Sequence, residues 1–505
     1  MNRKQAFWAL TLITIIGIIL KPFFWRYELL GSFSNYQSIL GMMAERYLVN
    51  GFTNLFYPEI YSIINGKPAF TLIYFPLVSF FAALGKLVLG GSLEIWGRFV
   101  SSMGGVGTAL LIYRILRHFK ASRIIGLAAV FFFTFSPYIW VYGRNFQNES
   151  LALLFFTLSF FLLCRFSKNG SKFSFLFSAL SLGLVVVLRL HFVFLAPVIF
   201  FWLPKDKRLL NFILFGMLSA LLPILWHGHA WFAQQQFNNI HTTLFYQLQV
   251  GKTFPNPLLV DPKFYVMMLR DLVFWVAGPL AFVLVLVGLL NKKRILKWGG
   301  MIVLTILFAL LVPKKFVDHH FYFYPLVLPF SALAGYGFSW LINRFRWPLV
   351  TLMLIASVLV SVRVSWGPGF ERTEDDWSLL NASKFIKQNV DSDDWIVASS
   401  FGSAVLPFYS RPGWTFRINP HHKKEYNDYM VIKGMNGITE EEWQKRNDAY
   451  ENSIDYLEYL KEKGAKYFFT STRKDMEKNE LFLNYMNKNY EKITSDNDSF
   501  YGYKL

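Results

Sequence analysis

Arg144 and Glu149 stand close together in VYGRNFQNESLALLFF, residues 141–156, where a polar stretch gives way to an apolar run. A carboxylate near lipid is costly unless it faces water, protein or a bound partner, so an acid kept there is a candidate for function. Beside a guanidinium it suits transfer of a group away from a phosphate. The carboxylate accepts the proton of an attacking hydroxyl, and the cation stabilises the phosphate as it leaves. On one continuous helix the two residues sit half a turn out of alignment. A break between Gly143 and Asn148 would bring both around one pocket. The bland alternative is a helix N-terminal acid favoured by the dipole, next to an arginine that snorkels outward.

Further candidates are expected on the same, outer face. Glu28 and Glu59 join Glu149 as possible proton acceptors, and Arg189, Lys314, Lys315, His319 and His320 join Arg144 as phosphate contacts. Such a set fits transfer of a sugar from a phosphate-linked donor to a hydroxyl. His191, His319 and His320 also admit a metal reading, but the adjacent histidines of DHHFYFYP have no further ligand fixed by spacing. A divalent metal is therefore not indicated, and polar residues in an interfacial aromatic belt read equally well. The lone cysteine, Cys164, excludes an intrachain disulfide and a thiolate cluster.

The elements that must position these residues are membrane helices. Of 505 residues, 54% are hydrophobic and only 16% charged, and apolar stretches recur at about the length that spans a bilayer. The net charge of +19 does not indicate nucleic acid: residues 1–370 hold 32 basic residues against nine acids, whereas 371–505 hold 19 against 23. Spans are expected from about residue 5 to 24 and at 97–116, 123–140, 149–164, 173–188, 190–204, 209–227, 271–290, 298–312, 321–342 and 347–364. Short basic clusters around Arg117, Lys168, Lys207, Lys293 and Arg344 then fall on one side, which the positive-inside rule makes cytoplasmic. The N-terminus is expected in the cytoplasm and the C-terminal region outside the plasma membrane.

Residues 67–90 are expected to form a helix on the outer membrane surface or re-entering it, and 35–51 an interfacial amphipathic helix. The chain divides into a membrane domain, 1–364, with a structured first outer loop, 25–96, and a soluble domain, 365–505. In the latter, LLNASKFIKQNV reads as helix, DWIVASS as strand, and SIDYLEYLKEKGAKYFFTS as helix, glycine stop and strand, which makes a small α/β domain. No phosphate-cradling glycine loop, HExxH or internal repeat is present.

Several motifs occur in an order that resembles the polytopic membrane glycosyltransferases, a family that includes the protein O-mannosyltransferases and the enzymes that add aminoarabinose to lipid A. They are MMAERYLVNG, then KPAF…YFPLVSFFAALGKLVLG ahead of GRFVSSMGGVGTALLIY, then SPYIWVYGRNFQNESLALLFF, and later HHFYFYPLVLPFSALAGYG. The resemblance implies a GT-C-like fold, a polytopic all-α membrane domain of about eleven transmembrane helices with a C-terminal extracytoplasmic α/β domain. It implies an inverting transferase that uses a polyprenyl-phosphate sugar on the outer face, with a glycan, lipid or protein as acceptor. In such enzymes an acid early in the first outer loop is the base, and an acid at the mouth of the fourth span supports the site. Glu149 matches the second position. At the first, Asn35, Tyr36 and Gln37 stand where an aspartate is common, so either the base has moved to Glu28, Glu59 or Glu45, or the proton is handled differently, or the chain is not an active transferase. A transporter or flippase of a lipid-linked or anionic substrate, or an inactive relative, are the alternatives. Charged residues gathered on one face and the lack of a two-halves repeat favour the transferase.

Overall fold

The computed structural model describes residues 28–30, 34–64, 67–72, 74–236, 240–241, 257–290, 298–345, 347–370, 372–399, 404–416, 418, 451–495 and 497–505, with a few positions before residue 20. The chain forms two units. A helical unit comprises 1–27, 72–235 and 242–371, and a mixed α/β unit comprises 28–71, 236–241 and 372–505.

In the helical unit, local sequence sets where each helix starts and stops. Ser92 caps the helix Leu93–His118 by accepting from the Ile95 N–H at 3.4 Å, with Glu94 in its first turn and Arg117 and His118 in its last, as the helix dipole favours. The helix Arg123–Thr134 stops before Ser136-Pro137, and Pro137 opens a short continuation, Pro137–Val141, so the pair bends by 56°. The helix Glu149–Asn169 ends at Gly170, whose φ of 65° is the left-handed conformation of a helix stop. The helix Lys172–Leu188 follows, then a 3-10 stretch, Leu190–Phe201. The π-turn Asp271–Ala277 meets the helix Pro279–Leu289 at Gly278 with a bend of 97°. The latter helix lies against Val327–Arg344 with Gly288 facing the Leu333 carbonyl and Gly337 facing the Leu284 carbonyl, so a side chain at either glycine would strike backbone.

Five described helices are long and apolar enough to cross a membrane, or up to seven when each bent pair is taken as one span, and four more are apolar but shorter. The span expected before residue 24 lies mostly outside the described residues. The expected surface helix of 67–90 is shorter: Lys67–Thr71 is a strand and the helix covers only Leu77–Leu89. Pro76 accounts for this, because a residue preceding proline is driven out of the helical region, so the helix starts after it.

In the α/β unit, eight described strands form one sheet in the order β3-β2-β1-β5-β4-β6-β8-β7. They are β1 Glu59–Ile64, β2 Lys67–Thr71, β3 Ile240–His241, β4 Trp395–Ser399, β5 Gly413–Phe416, β6 Ala465–Thr470, β7 Glu491–Lys492 and β8 Gly502–Lys504. Strands β5, β4 and β6 are parallel, with Val397 opposite Trp414 on one side and Phe468 on the other. First-loop strand β1 joins them through a parallel pairing of Ser62 with Gly413. Alternation along β4 and β6 feeds two cores. Val397 and Phe468 pack with Leu457, Leu460, Phe482 and Met486, while Ile396, Ala398 and Phe469 pack with Leu379, Leu380 and Ile386. The helix Glu374–Asn389 on the second face starts in a reciprocal capping box of Thr373 and Asp376.

Candidate functional site

The stretch between the helices ending at Val141 and starting at Glu149 is not helical throughout. A 3-10 turn, Tyr142–Arg144, passes into extended backbone at Asn145, which is the break the spacing of Arg144 and Glu149 calls for. Two features of Leu93–His118 pin this connection. The Ser101 hydroxyl donates to the Gln147 carbonyl at 3.0 Å, and its oxygen lies 3.3 Å from the Gln147 N–H. Glycines let the chains approach: Gly97 faces the Phe146 ring, and a Cβ on Gly104 would lie 2.8 Å from the Ser150 carbonyl.

Glu149, the first residue of its helix, forms a buried ion pair with Arg189. Arg189 follows the last turn of Lys172–Leu188 in extended conformation, and its guanidinium lies 5.5 Å from the Tyr74 ring centre and 5.2 Å from that of Phe321. One carboxylate and two aromatic faces thus hold the cation, and in a desolvated setting each ring contact contributes on the order of 1–2 kcal/mol. Asn148 donates from Nδ2 to the Phe75 carbonyl at 3.4 Å, and the Ser150 and Tyr324 hydroxyls are 3.0 Å apart. Tyr324 lies beside Tyr142 and Tyr138, at ring distances of 6.0 and 6.4 Å.

Arg144 is buried on its 3-10 turn. His319 links two short helices and stacks on Phe321 at 5.2 Å, which places it in the same aromatic cluster that touches Arg189. His320 begins the 3-10 turn His320–Leu326, and its side chain lies outside the described residues. His191 packs on Tyr322 at 4.8 Å.

Glu28 and Glu59 belong to the α/β unit. Glu59, on β1, pairs with Arg46, whose Nε donates at 2.6 Å. The neighbouring Tyr61 phenol is pushed well above its ordinary range by burial and then by the charge of Glu45, so it stays protonated. The backbone carbonyl of Glu28 accepts from Leu30 at 2.8 Å and from Arg372 at 3.5 Å. Among the described residues no group of three His, Cys, Asp or Glu side chains is placed to hold a metal ion.

Three features escape the sequence reading. Asp271, paired with Arg270 at 3.0 Å, is a second fully buried carboxylate of the helical unit, and Tyr142 lies within electrostatic reach of both it and Glu149. Arg98 is a third buried guanidinium of the unit, in addition to Arg144 and Arg189, so the buried charges among its described residues are three cations and two anions. Asp271 sits in FYVMMLRDLVFWVAG, and the argument from an acid in an apolar run would have found it. Tyr74 and Tyr324 carry no such signal, because only tertiary contact separates them from the other aromatic residues.

A family described as dolichyl-phosphate-mannose-protein mannosyltransferase matches residues 67–228, the segment that holds Arg98, Arg144, Glu149 and Arg189. No curated protein sequence matches the chain. Among solved structures, ArnT from Cupriavidus metallidurans in the apo state superposes with a TM-score of 0.60 at 10% identity, over 97% of both chains. The same protein bound to undecaprenyl phosphate gives 0.59 at 11% identity, over 98% of this chain and 97% of that one. The archaeal oligosaccharyltransferase AglB from Archaeoglobus fulgidus, in complex with an inhibitory peptide and a dolichol-phosphate, gives 0.55 at 13% identity, over 92% of this chain and 69% of that one. The segment 67–228 is thus similar to that mannosyltransferase family, and the chain shares the fold of ArnT and AglB.

Proposed function

We propose that this protein transfers a sugar from a polyprenyl-phosphate donor to a hydroxyl of a cell-envelope glycan, lipid or protein, on the outer face of the plasma membrane and with inversion. The observation that carries the reading is the buried Glu149–Arg189 pair at a helix mouth, with Arg98 and Arg144 buried in the same unit. Buried guanidinium groups suit recognition of an anion, and the similar structures bound to undecaprenyl phosphate and dolichol-phosphate point to a lipid phosphate. The acceptor oxygen attacks the anomeric carbon from the face opposite the phosphate. The bond from that carbon to the phosphate oxygen breaks, and polyprenyl phosphate leaves with the electron pair.

In this reading Arg189, Arg144, His319 and His320 contact the phosphate, and Glu149 holds Arg189 in place. The proton goes to a first-loop carboxylate, Glu28 or Glu59. Glu59 must first release Arg46, which ties its basicity to movement of that arginine. The N-terminus is cytoplasmic and residue 505 lies outside.

The test is sugar transfer by the purified chain in vesicles, from undecaprenyl-phosphate mannose, glucose and aminoarabinose to extracted envelope glycans and lipids. Transfer that is lost in Arg144→Gln and Arg189→Gln supports the reading. Movement of the intact lipid across the vesicle without transfer replaces it with a flippase.

A further inference from the structure

The three residues that open the helix Glu149–Asn169 share an unusual state. Gln147, Asn148 and Glu149 are at most 1% exposed, yet the Gln147 Nε2 and Oε1, the Asn148 Oδ1 and the Glu149 Oε2 have no hydrogen-bond partner among the described residues. Each residue is nevertheless fixed. Gln147 is held through its backbone by Ser101, Asn148 through Nδ2 by the Phe75 carbonyl, and Glu149 through Oε1 by Arg189. Burying one such atom unmet is costly, and four in consecutive residues of a well-packed segment call for something that satisfies them.

The chemistry of the four atoms selects among ligands. Three accept only, and one amide nitrogen donates. A phosphate brings acceptors alone and would face the carboxylate oxygen of Glu149 unfavourably. A ring with neighbouring hydroxyls brings several donors together with acceptors. We propose that Gln147, Asn148 and Glu149 form the subsite that recognises the hydroxyls of the donor sugar, while the guanidinium groups serve the phosphate. The inference rests on the transferase reading above and adds to it which residues read the sugar. Groups committed on one side and open on the other are already oriented, so they discriminate strongly against a ligand that leaves them unmet.

The experiment measures Kd for the full-length chain in nanodiscs, with undecaprenyl phosphate, its cyclohexyl ester, and its mannose, glucose and aminoarabinose esters. The wild type is expected to hold at least one sugar lipid roughly tenfold more tightly than both undecaprenyl phosphate and the hydroxyl-free cyclohexyl ester, the size of a lost hydrogen bond or two. In Gln147→Met, which keeps the shape and removes the amide, that preference should collapse to about twofold or less, within the value of one hydrogen bond. The comparison with the cyclohexyl ester needs no variant, so it stands even where Gln147→Met fails to fold. A wild type that does not distinguish sugar from cyclohexyl overturns the proposal. So does a Gln147→Met protein that keeps the preference and melts at higher temperature, because its amide is then only a core group satisfied by water. A wild type that binds none of these lipids, undecaprenyl phosphate included, overturns the transferase reading as well.

Discussion

Separating Glu149 from Arg189 tests whether this pair organises the helical unit. The two side chains are 1% and 7% exposed, so neither charge is screened by water. Removing one partner strands the other in a desolvated place, and such losses cost roughly 3–5 kcal/mol. Glu149→Leu leaves the guanidinium between the Tyr74 and Phe321 rings, and Arg189→Met leaves the carboxylate at the head of its helix. The double variant removes both charges and replaces them with apolar groups of similar volume, so it should cost less than either single change. The assay is equilibrium unfolding of the purified chain in mixed micelles, run as a double-mutant cycle. Two singles that each cost under about 1 kcal/mol, or a double whose cost is their sum, would refute the reasoning, since an exposed, screened pair behaves that way.

Four shorter predictions follow from other contacts. Gly104→Ala forces a methyl against the Ser150 backbone, so it should cost about 1–3 kcal/mol and reduce transfer by displacing the helix that bears Glu149, as thermal stability and turnover measured together will show. Tyr324→Phe orphans the Ser150 hydroxyl; it should destabilise by about 1 kcal/mol, and Ser150→Ala in the same background should recover part of that loss in the same unfolding assay. Of Glu28→Gln and Glu59→Gln, the one that removes the base should lower turnover by roughly 10²–10⁴-fold with donor binding intact, and near-normal turnover in both sends the proton elsewhere. A membrane-impermeant label should reach a cysteine at position 488 in intact cells but not one at 120 or 206, and the opposite pattern would reverse the proposed topology.

Local sequence determined much of what positions the site. Apolar runs gave most of the helices from residue 93 onward, and Gly170 and Gly464 gave stops, because each acts through the backbone of its own neighbourhood. The segments 123–140 and 271–290, expected as unbroken spans, are instead bent at Pro137 and Pro279, and 190–204 holds a 3-10 stretch. The importance of Glu149 was legible for the same reason: a carboxylate in an apolar run needs an explanation wherever the chain folds. Its partner was not legible. Arg189 lies 40 residues away, and nothing local distinguishes a snorkelling arginine from one held by a carboxylate and two rings. The sheet shows the same limit. Residues 59–64 have strand character by themselves, but their pairing with Gly413 of the C-terminal region joins residues about 350 apart, a choice made by whole-chain packing. The unmet atoms of Gln147, Asn148 and Glu149 likewise exist only once surrounding helices exclude water from NFQNES, where the sequence alone marks the charge of Glu149 but nothing about the two amides.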